Sequence, residues 1–320
     1  MIAKAKKNFC FIVNPIAGNS NNKKFCLDLI EEVKSPFVDI QCVDLKRKGH
    51  ASEVVAQNLD KENCTIVSVG GDGTFNEIAS ALVNKDTPIA IVPRGSGNGL
   101  ARMIKIPERK SEIAKYLLEG QVQAVDAGKV AGQYFFCTCG FGFDAHIASV
   151  FNKGKRRGSQ RYVQNILKLL LSYNPVEAEF VIDGVEHKGK FFLVTFSNAN
   201  QYGNNAFIAP AANLSDGMLQ ATIVHPFPQV LAPLMTTALL GGFIDKMPFV
   251  ETVSFRQVEI KHVSSSCFHC DGETLEVKYP TTVEVISNAI RLLVPKKYQN
   301  KPMRENKKIF PLRRFASIEI

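Results

Sequence analysis

The sequence has no long hydrophobic run. The nearest candidate, residues 230–244, is interrupted by Pro233, Thr236, Thr237, Gly241 and Gly242. A membrane-crossing helix needs roughly 18 continuous apolar residues, so none is expected. A secretory leader is not expected either. Lys4, Lys6 and Lys7 imitate a basic leader, but the apolar run 9–13 is short and breaks at Asn14-Pro15. Also missing is the GxxxxGK[ST] run of Walker-type phosphate sites. A dinucleotide fingerprint fails at Asn76, which stands where the third glycine would be needed after Gly73. The glycine-rich and catalytic loops of protein kinases do not occur. Acidic residues are in deficit: 39 Lys and Arg against 30 Asp and Glu leave a net charge of +9. That excess points to an anionic partner, whether nucleotide, nucleic acid or membrane surface.

What is present is organised around residues 65–77, TIVSVGGDGTFNE. Thr65 to Val69 form a short apolar, β-branched run suited to an inner strand of a parallel sheet. Gly70, Gly71 and Gly73 then let backbone N–H groups approach a ligand closely. Phe75, Ile78, Ala79 and Leu82 recur at helical spacing, which places a helix N-terminus just after the glycines. Strand, glycine turn and helix start together make a phosphate cradle. Asp72 inside it suits a metal ion or a proton acceptor. The same pattern also fits a tight βα turn with Asp as a helix cap.

Residues 9–13 read as a first strand that ends in the turn Asn14-Pro15-Ile16-Ala17-Gly18, with a helix through Phe25, Leu29 and Val33 behind it. Residues 38–45 and 88–92 are further strands. The last runs into Gly95-Ser96-Gly97-Asn98-Gly99, a second backbone cradle in which Ser96 and Asn98 offer small polar groups. Alternating strands and helices predict a three-layer α/β domain with ligands at the carboxyl ends of the strands.

Near residue 125 the texture changes to short β-rich runs separated by turn signals such as Asp183-Gly184 and Asp216-Gly217, which predicts an antiparallel sandwich or barrel. One helical stretch, with Tyr162, Ile166, Leu169 and Leu170, follows a basic cluster of Lys153, Lys155, Arg156, Arg157 and Arg161. Asp271-Gly272-Glu273 places two carboxylates around a glycine, either at a site or in a solvated hairpin. Cys137-x-Cys139 and Cys267-x-x-Cys270 have unmatched spacings in strand-like sequence, which argues against zinc. The eight cysteines, with no leader, suggest reduced thiols in a cytosolic protein. Residues 295–320 hold eight Lys or Arg against two Glu. The basic residues gather in this tail and beside a helix, without the interleaved aromatics of a nucleic-acid surface, so nucleic acid is not expected as partner.

Taken in order, Asn14-Pro15-x-Ala17-Gly18, Gly70-Gly71-Asp72-Gly73-Thr74, Gly95-Ser96-Gly97-Asn98 and Asp271-Gly272-Glu273 resemble the lipid kinase family of diacylglycerol, sphingosine and ceramide kinases. The resemblance spans nearly the whole chain. It implies an α/β N-terminal three-layer nucleotide-binding domain over residues 1–124, to which residues 293–320 return, plus an all-β antiparallel sandwich over residues 125–292. ATP and Mg²⁺ are the implied cofactors, and a membrane lipid is the implied acceptor. Asn14, Gly70, Gly71, Asp72, Gly73, Thr74, Asn76 and Ser96 would face the nucleotide, with Arg157 and Arg161 nearby. Asp72 would assist the metal and the transfer, and Glu273 would be the general base. Asn213, Asp216 and Met218 match a stretch that holds a structural Mg²⁺ in bacterial members, although a hairpin turn explains Asp216 equally well. Leu45 departs from the family, which commonly has Thr there. The Gly-Ser-Gly-Asn element is closer to sphingosine and ceramide kinases than to diacylglycerol kinases. A soluble-substrate NAD kinase, or a non-catalytic lipid- or nucleic-acid-binding protein, remains the alternative. The expected setting is the cytoplasm, with peripheral attachment to an anionic membrane through the basic, apolar-studded tail; a solvated tail is the plainer reading.

Overall fold

The computed structural model describes residues 6–18, 21–47, 49–59, 61–153, 169–170, 172–265 and 267–303. The N-terminal part alternates β1 (Lys7–Val13), α1 (Asn22–Val33), β2 (Val38–Asp44), α2 (His50–Ala56), β3 (Cys64–Gly70), α3 (Asp72–Ala81), β4 (Pro88–Pro93), α4 (Gly99–Met103) and α5 (Lys110–Glu119). β2, β1, β3 and β4 are adjacent and parallel. The apolar side chains of β1, β3 and β4 are buried on both faces, as the unbroken β-branched runs require, while β2 at the edge is only partly covered. α1 starts where the Asn21 side chain accepts the Lys24 N–H at 3.0 Å. α3 buries Phe75, Ile78 and Ala79, the stripe that the 3.6-residue spacing predicts.

The remainder is β5 (Gln121–Val130), β6 (Gln133–Phe135), β7 (Thr138–Gly142), α6 (Phe143–Lys153), β8 (Val176–Ile182), β9 (Val185–Phe191), β10 (Leu193–Ser197), β11 (Leu219–Val224), α7 (Ala232–Leu240), β12 (Val250–Phe255), β13 (Gln257–Val263), β14 (Phe268–Cys270), β15 (Glu273–Leu275) and β16 (Thr281–Val294). β12, β11, β10, β7, β14 and β15 form an antiparallel six-stranded sheet. It packs on a second layer through a core that centres on Phe141, whose ring lies 6.0–6.4 Å from those of Phe180, Phe196 and Phe268.

That second layer is not separate from the N-terminal sheet. Strand order β2-β1-β3-β4-β16-β13-β8-β9 makes one ten-stranded sheet, with β5 and β6 attached to it through β16. β16 pairs antiparallel with β13 over its first residues and parallel with β4 at Arg291 and Leu292. A 14-residue strand spans about 45 Å, enough to serve both halves. β5 runs through the expected boundary at 124/125: Val125 and Ala127 enter the α/β core, while Val130 enters the sandwich core. Gly128 between them leaves room for the Phe135 ring, whose Cζ would stand 1.9 Å from any Cβ there. The return of the chain begins inside β16, where Ala289 joins the α/β core. Most of the predicted helix around Tyr162 and Ile166 lies outside the described residues.

Candidate active site

Three strand ends of the α/β domain meet at one place. The Asn14 amide, just past β1, donates to the Thr74 hydroxyl on α3 at 2.9 Å, and its oxygen accepts the Ile16 N–H at 3.1 Å. Thr74 is buried directly under Gly70, where a Cβ would come within 2.5 Å of its Oγ1. Asn14 and Thr74 thus join the first turn to the second, leaving the N–H-rich start of α3 open above Gly73. The β4 turn abuts it backbone to backbone, since a Cβ on Gly95 would stand 2.5 Å from the Gly71 Cα. Only glycine permits that approach. Ser96 is exposed at the tip of this turn.

Asp72 is the first residue of α3, yet its carboxylate serves α4. Oδ2 accepts the Asn98 N–H at 2.7 Å and Oδ1 accepts the Gly99 N–H at 2.9 Å. The cap expected at this residue is thus present, except that the helix capped is the next one. Burial pushes the Asp72 carboxyl up to about 6; the two N–H groups oppose the rise and Asp271 adds to it.

Asp271 turns the β14–β15 hairpin with a left-handed φ of 46° and carries its carboxylate into the junction of the two halves. Oδ1 accepts the Cys137 and Thr138 N–H groups, both at 2.9 Å, and Oδ2 accepts the Phe136 N–H at 2.9 Å and the Asn76 amide at 2.8 Å. Asn76 also donates to the Tyr134 carbonyl at 2.9 Å. Its amide, expected on phosphate, thus points to the second half of the chain. Burial raises the Asp271 carboxyl, against the pull of its four donors. Glu273, two residues on, is exposed at the start of β15, where it pairs with Cys270 of β14, and its side chain has no hydrogen bond or ion pair among the described residues.

Asp126 and Asp216 form a second acidic pair. Asp126 on β5 is buried; Oδ1 accepts the Asn288 N–H at 2.7 Å and Oδ2 the Gly217 N–H at 2.8 Å. Asp216 accepts the Met218 N–H at 3.1 Å. Burial raises both carboxyls, and the Asp126 charge raises Asp216 further. Asn213, offered as a ligand, has its side-chain oxygen on the Ser215 N–H at 3.0 Å and the Asn300 amide at 2.6 Å. No three His, Cys, Asp or Glu side chains converge among the described residues. An all-oxygen set of one or two carboxylates completed by water is nonetheless what Mg²⁺ takes. A cavity of about 420 Å³, lined by Asn8, Cys10, Gln41, Lys61 and Cys64, sits at the opposite strand ends and touches none of these groups.

Residues 8–130 match the model of the diacylglycerol kinase catalytic domain, and residues 137–294 match that of the YegS C-terminal NAD kinase beta sandwich-like domain. The protein named "Probable lipid kinase YegS-like" of Pseudomonas fluorescens is 30% identical over 258 residues, covering 77% of this chain and 83% of that protein. This chain belongs to the lipid kinase family. A diacylglycerol kinase of Mycobacterium tuberculosis is 24% identical over 296 residues, covering 89% of this chain and 94% of that protein. The crystal structure of a diacylglycerol kinase from Bacillus anthracis shares the fold with a TM-score of 0.69 at 18% identity, over 93% of this chain and all of the other.

In this lipid kinase family member, Arg157 and Arg161 lie outside the described residues. Sequence reading alone does not reveal Asp126, Asp271 and Asp144 as partnered carboxylates, although each stands in an otherwise apolar or turn-forming stretch. Asp144, at the start of α6, accepts from the Thr195 hydroxyl at 2.6 Å and the Tyr202 hydroxyl at 3.0 Å, and its Oδ2 lies 3.0 Å from His269 Nε2. The Tyr202 backbone in turn packs against Gly97 and Gly99. The outer face of the six-stranded sheet is thereby tied to the turn that Asp72 holds.

Proposed function

We propose that this chain transfers a phosphoryl group from ATP to a hydroxyl of a membrane lipid, with a sphingoid base, ceramide or diacylglycerol as acceptor. The observation that carries this reading is the clamp at Asp271. It fixes a hairpin of the second domain to α3 of the first, and that hairpin carries an exposed carboxylate, Glu273, which would face the acceptor. Phosphoryl transfer asks a protein mainly for positioning and charge neutralisation. The N–H groups at Gly70 to Gly73 would cradle the phosphates, with Asn14 and Thr74 holding the turns in place and Ser96 free to reach the nucleotide. Glu273 would take the proton of the acceptor hydroxyl as its oxygen bonds phosphorus and ADP leaves. Mg²⁺ bound with ATP would neutralise charge on the phosphates. Asp72 would keep both turns in register and stand nearest to that metal, and Asp216, backed by Asp126, would hold a second, structural Mg²⁺. The Gly95 to Asn98 element favours the sphingoid and ceramide end of the acceptor range.

Incubation of the purified protein with labelled ATP and a panel of diacylglycerol, sphingoid base, ceramide and NAD tests this reading. Label in a lipid is the expected result. Label in NAD alone would replace it with a soluble-substrate kinase, and label in none would reject both.

A further inference from the structure

No helix among the described residues is long and apolar enough to cross a membrane, yet α7 has an unusual surface. Residues 226–244 contain no charged side chain. Ala232, Met235 and Ala238 face inward to the cluster that covers the outer face of the six-stranded sheet. The opposite stripe, with Val230 just ahead of the helix and then Pro233, Leu234, Thr237 and Leu240, is turned outward. Val230 is 82%, Leu234 49% and Leu240 53% exposed. A helix apolar on all sides has a second apolar medium to meet, because water alone would select a polar outer face.

A second feature indicates the medium. The described chain ends at Met303, whose Cε lies 3.1 Å from where a Cβ on Gly242 would stand, at the C-terminal end of α7. Residues 304–320 follow in sequence, and they carry Arg304, Lys307, Lys308, Arg313 and Arg314 against Glu305 and Glu319, with Ile309, Phe310, Leu312 and Phe315 among them. An apolar stripe next to the origin of a basic, apolar-studded segment suits the interface of an anionic bilayer, where side chains enter the acyl boundary and cations meet headgroups. Neither a neutral surface nor a basic protein would use both.

We infer that the outer face of α7, Val230, Leu234 and Leu240, is the element that inserts into an anionic membrane surface. The inference rests on the membrane-lipid reading above and assigns the surface that brings the site to its substrate. Pro233 in the first turn starts the helix squarely, and the Phe207 N–H donates to the Leu239 carbonyl at 3.0 Å, so the stripe is presented on a fixed element.

The chain has no tryptophan, so Leu234→Trp gives a single reporter at an exposed position. In the full chain, without ATP, its emission should shift to the blue on adding vesicles of mixed phosphatidylglycerol and phosphatidylcholine and be quenched by brominated acyl chains. Val185→Trp, exposed on β9 of the other sheet, should do neither. The double variant Leu234→Asp with Leu240→Asp, melting like the wild type, should bind these vesicles at least about ten-fold more weakly. Unmoved emission from the vesicle-bound Leu234→Trp variant, unchanged binding by the double variant, or no vesicle binding at all would each overturn the inference. So would a dimer that the double variant splits while vesicle binding persists, since the face would then pair two copies. No step uses catalysis, so failure here leaves the kinase reading to the acceptor panel.

Discussion

Replacing Asp271 by Asn should loosen the junction between the two halves without changing side-chain size. The wild-type carboxylate accepts four hydrogen bonds, three from consecutive backbone N–H groups and one from Asn76. An amide oxygen can keep the pair on one side, but the NH₂ group then faces the two donors on the other. Each buried donor left unpaired costs about 1–3 kcal/mol. Neutralising a carboxyl that burial already disfavours returns part of that sum, leaving a net loss of about 2–4 kcal/mol. The left-handed φ is no confounder, because Asn tolerates it nearly as well as Asp. The melting temperature should fall by roughly 5–10 °C, amide exchange should quicken at Phe136, Cys137 and Thr138, and transfer should drop because Glu273 sits on the same hairpin. A melt within about 1 °C of wild type, with protection at those amides retained, would refute the assignment of Asp271 as the clamp.

Gly95→Ala should weaken ATP binding at least about ten-fold, because its Cβ would press on the Gly71 backbone and part the two turns; unchanged nucleotide affinity by titration would contradict their contact. Folded Asp72 keeps its proton to about pH 6, whereas an unfolded Asp releases it near pH ~4. The native state thus binds more protons in that window, and the Asp72 contribution to stability, worth about 3 kcal/mol, is present below it and lost as pH rises through 6. Asp72→Asn should flatten the melting profile there and cut transfer at least about 10²-fold; an unaltered profile would remove the buried-carboxylate account. Mg²⁺ should raise the melting temperature of the wild type, and Asp216→Ala should abolish that rise, read in the absence of ATP; an equal rise in the variant would place the metal elsewhere.

Local signals made the α/β half legible. The apolar runs of β1, β3 and β4 and the helical spacing of Phe75, Ile78 and Ala79 are complete within a dozen residues each, and the glycines follow directly. The clamp was not legible in that way. Asp271 reads as half of a hairpin turn, and its four donors come from α3 and from residues 136–138, about 195 and 135 positions away. Only the fold brings them together. Asn76 lies inside the glycine-loop motif, which suggests a phosphate contact, but the helix turns its amide toward the sandwich. The full length of β16 is hidden from sequence reading, because the irregularity between Ile286 and Ile290, with Asn288 at φ 54°, interrupts the strand pattern. Asp126 stands between Val125 and Ala127, and a carboxylate in such a run is the kind of signal that marks a buried, partnered acid.

The steady-state kinetics of Glu273→Gln test the central claim most directly. With the lipid acceptor in mixed micelles and melts matched to wild type, kcat should fall at least about 10²-fold while KM for ATP stays within a few-fold, because a base acting on the acceptor hydroxyl contributes in the transition state and not in nucleotide binding. A wild-type kcat, or a change confined to KM for ATP, would contradict the assignment of Glu273 as the group that takes the acceptor proton.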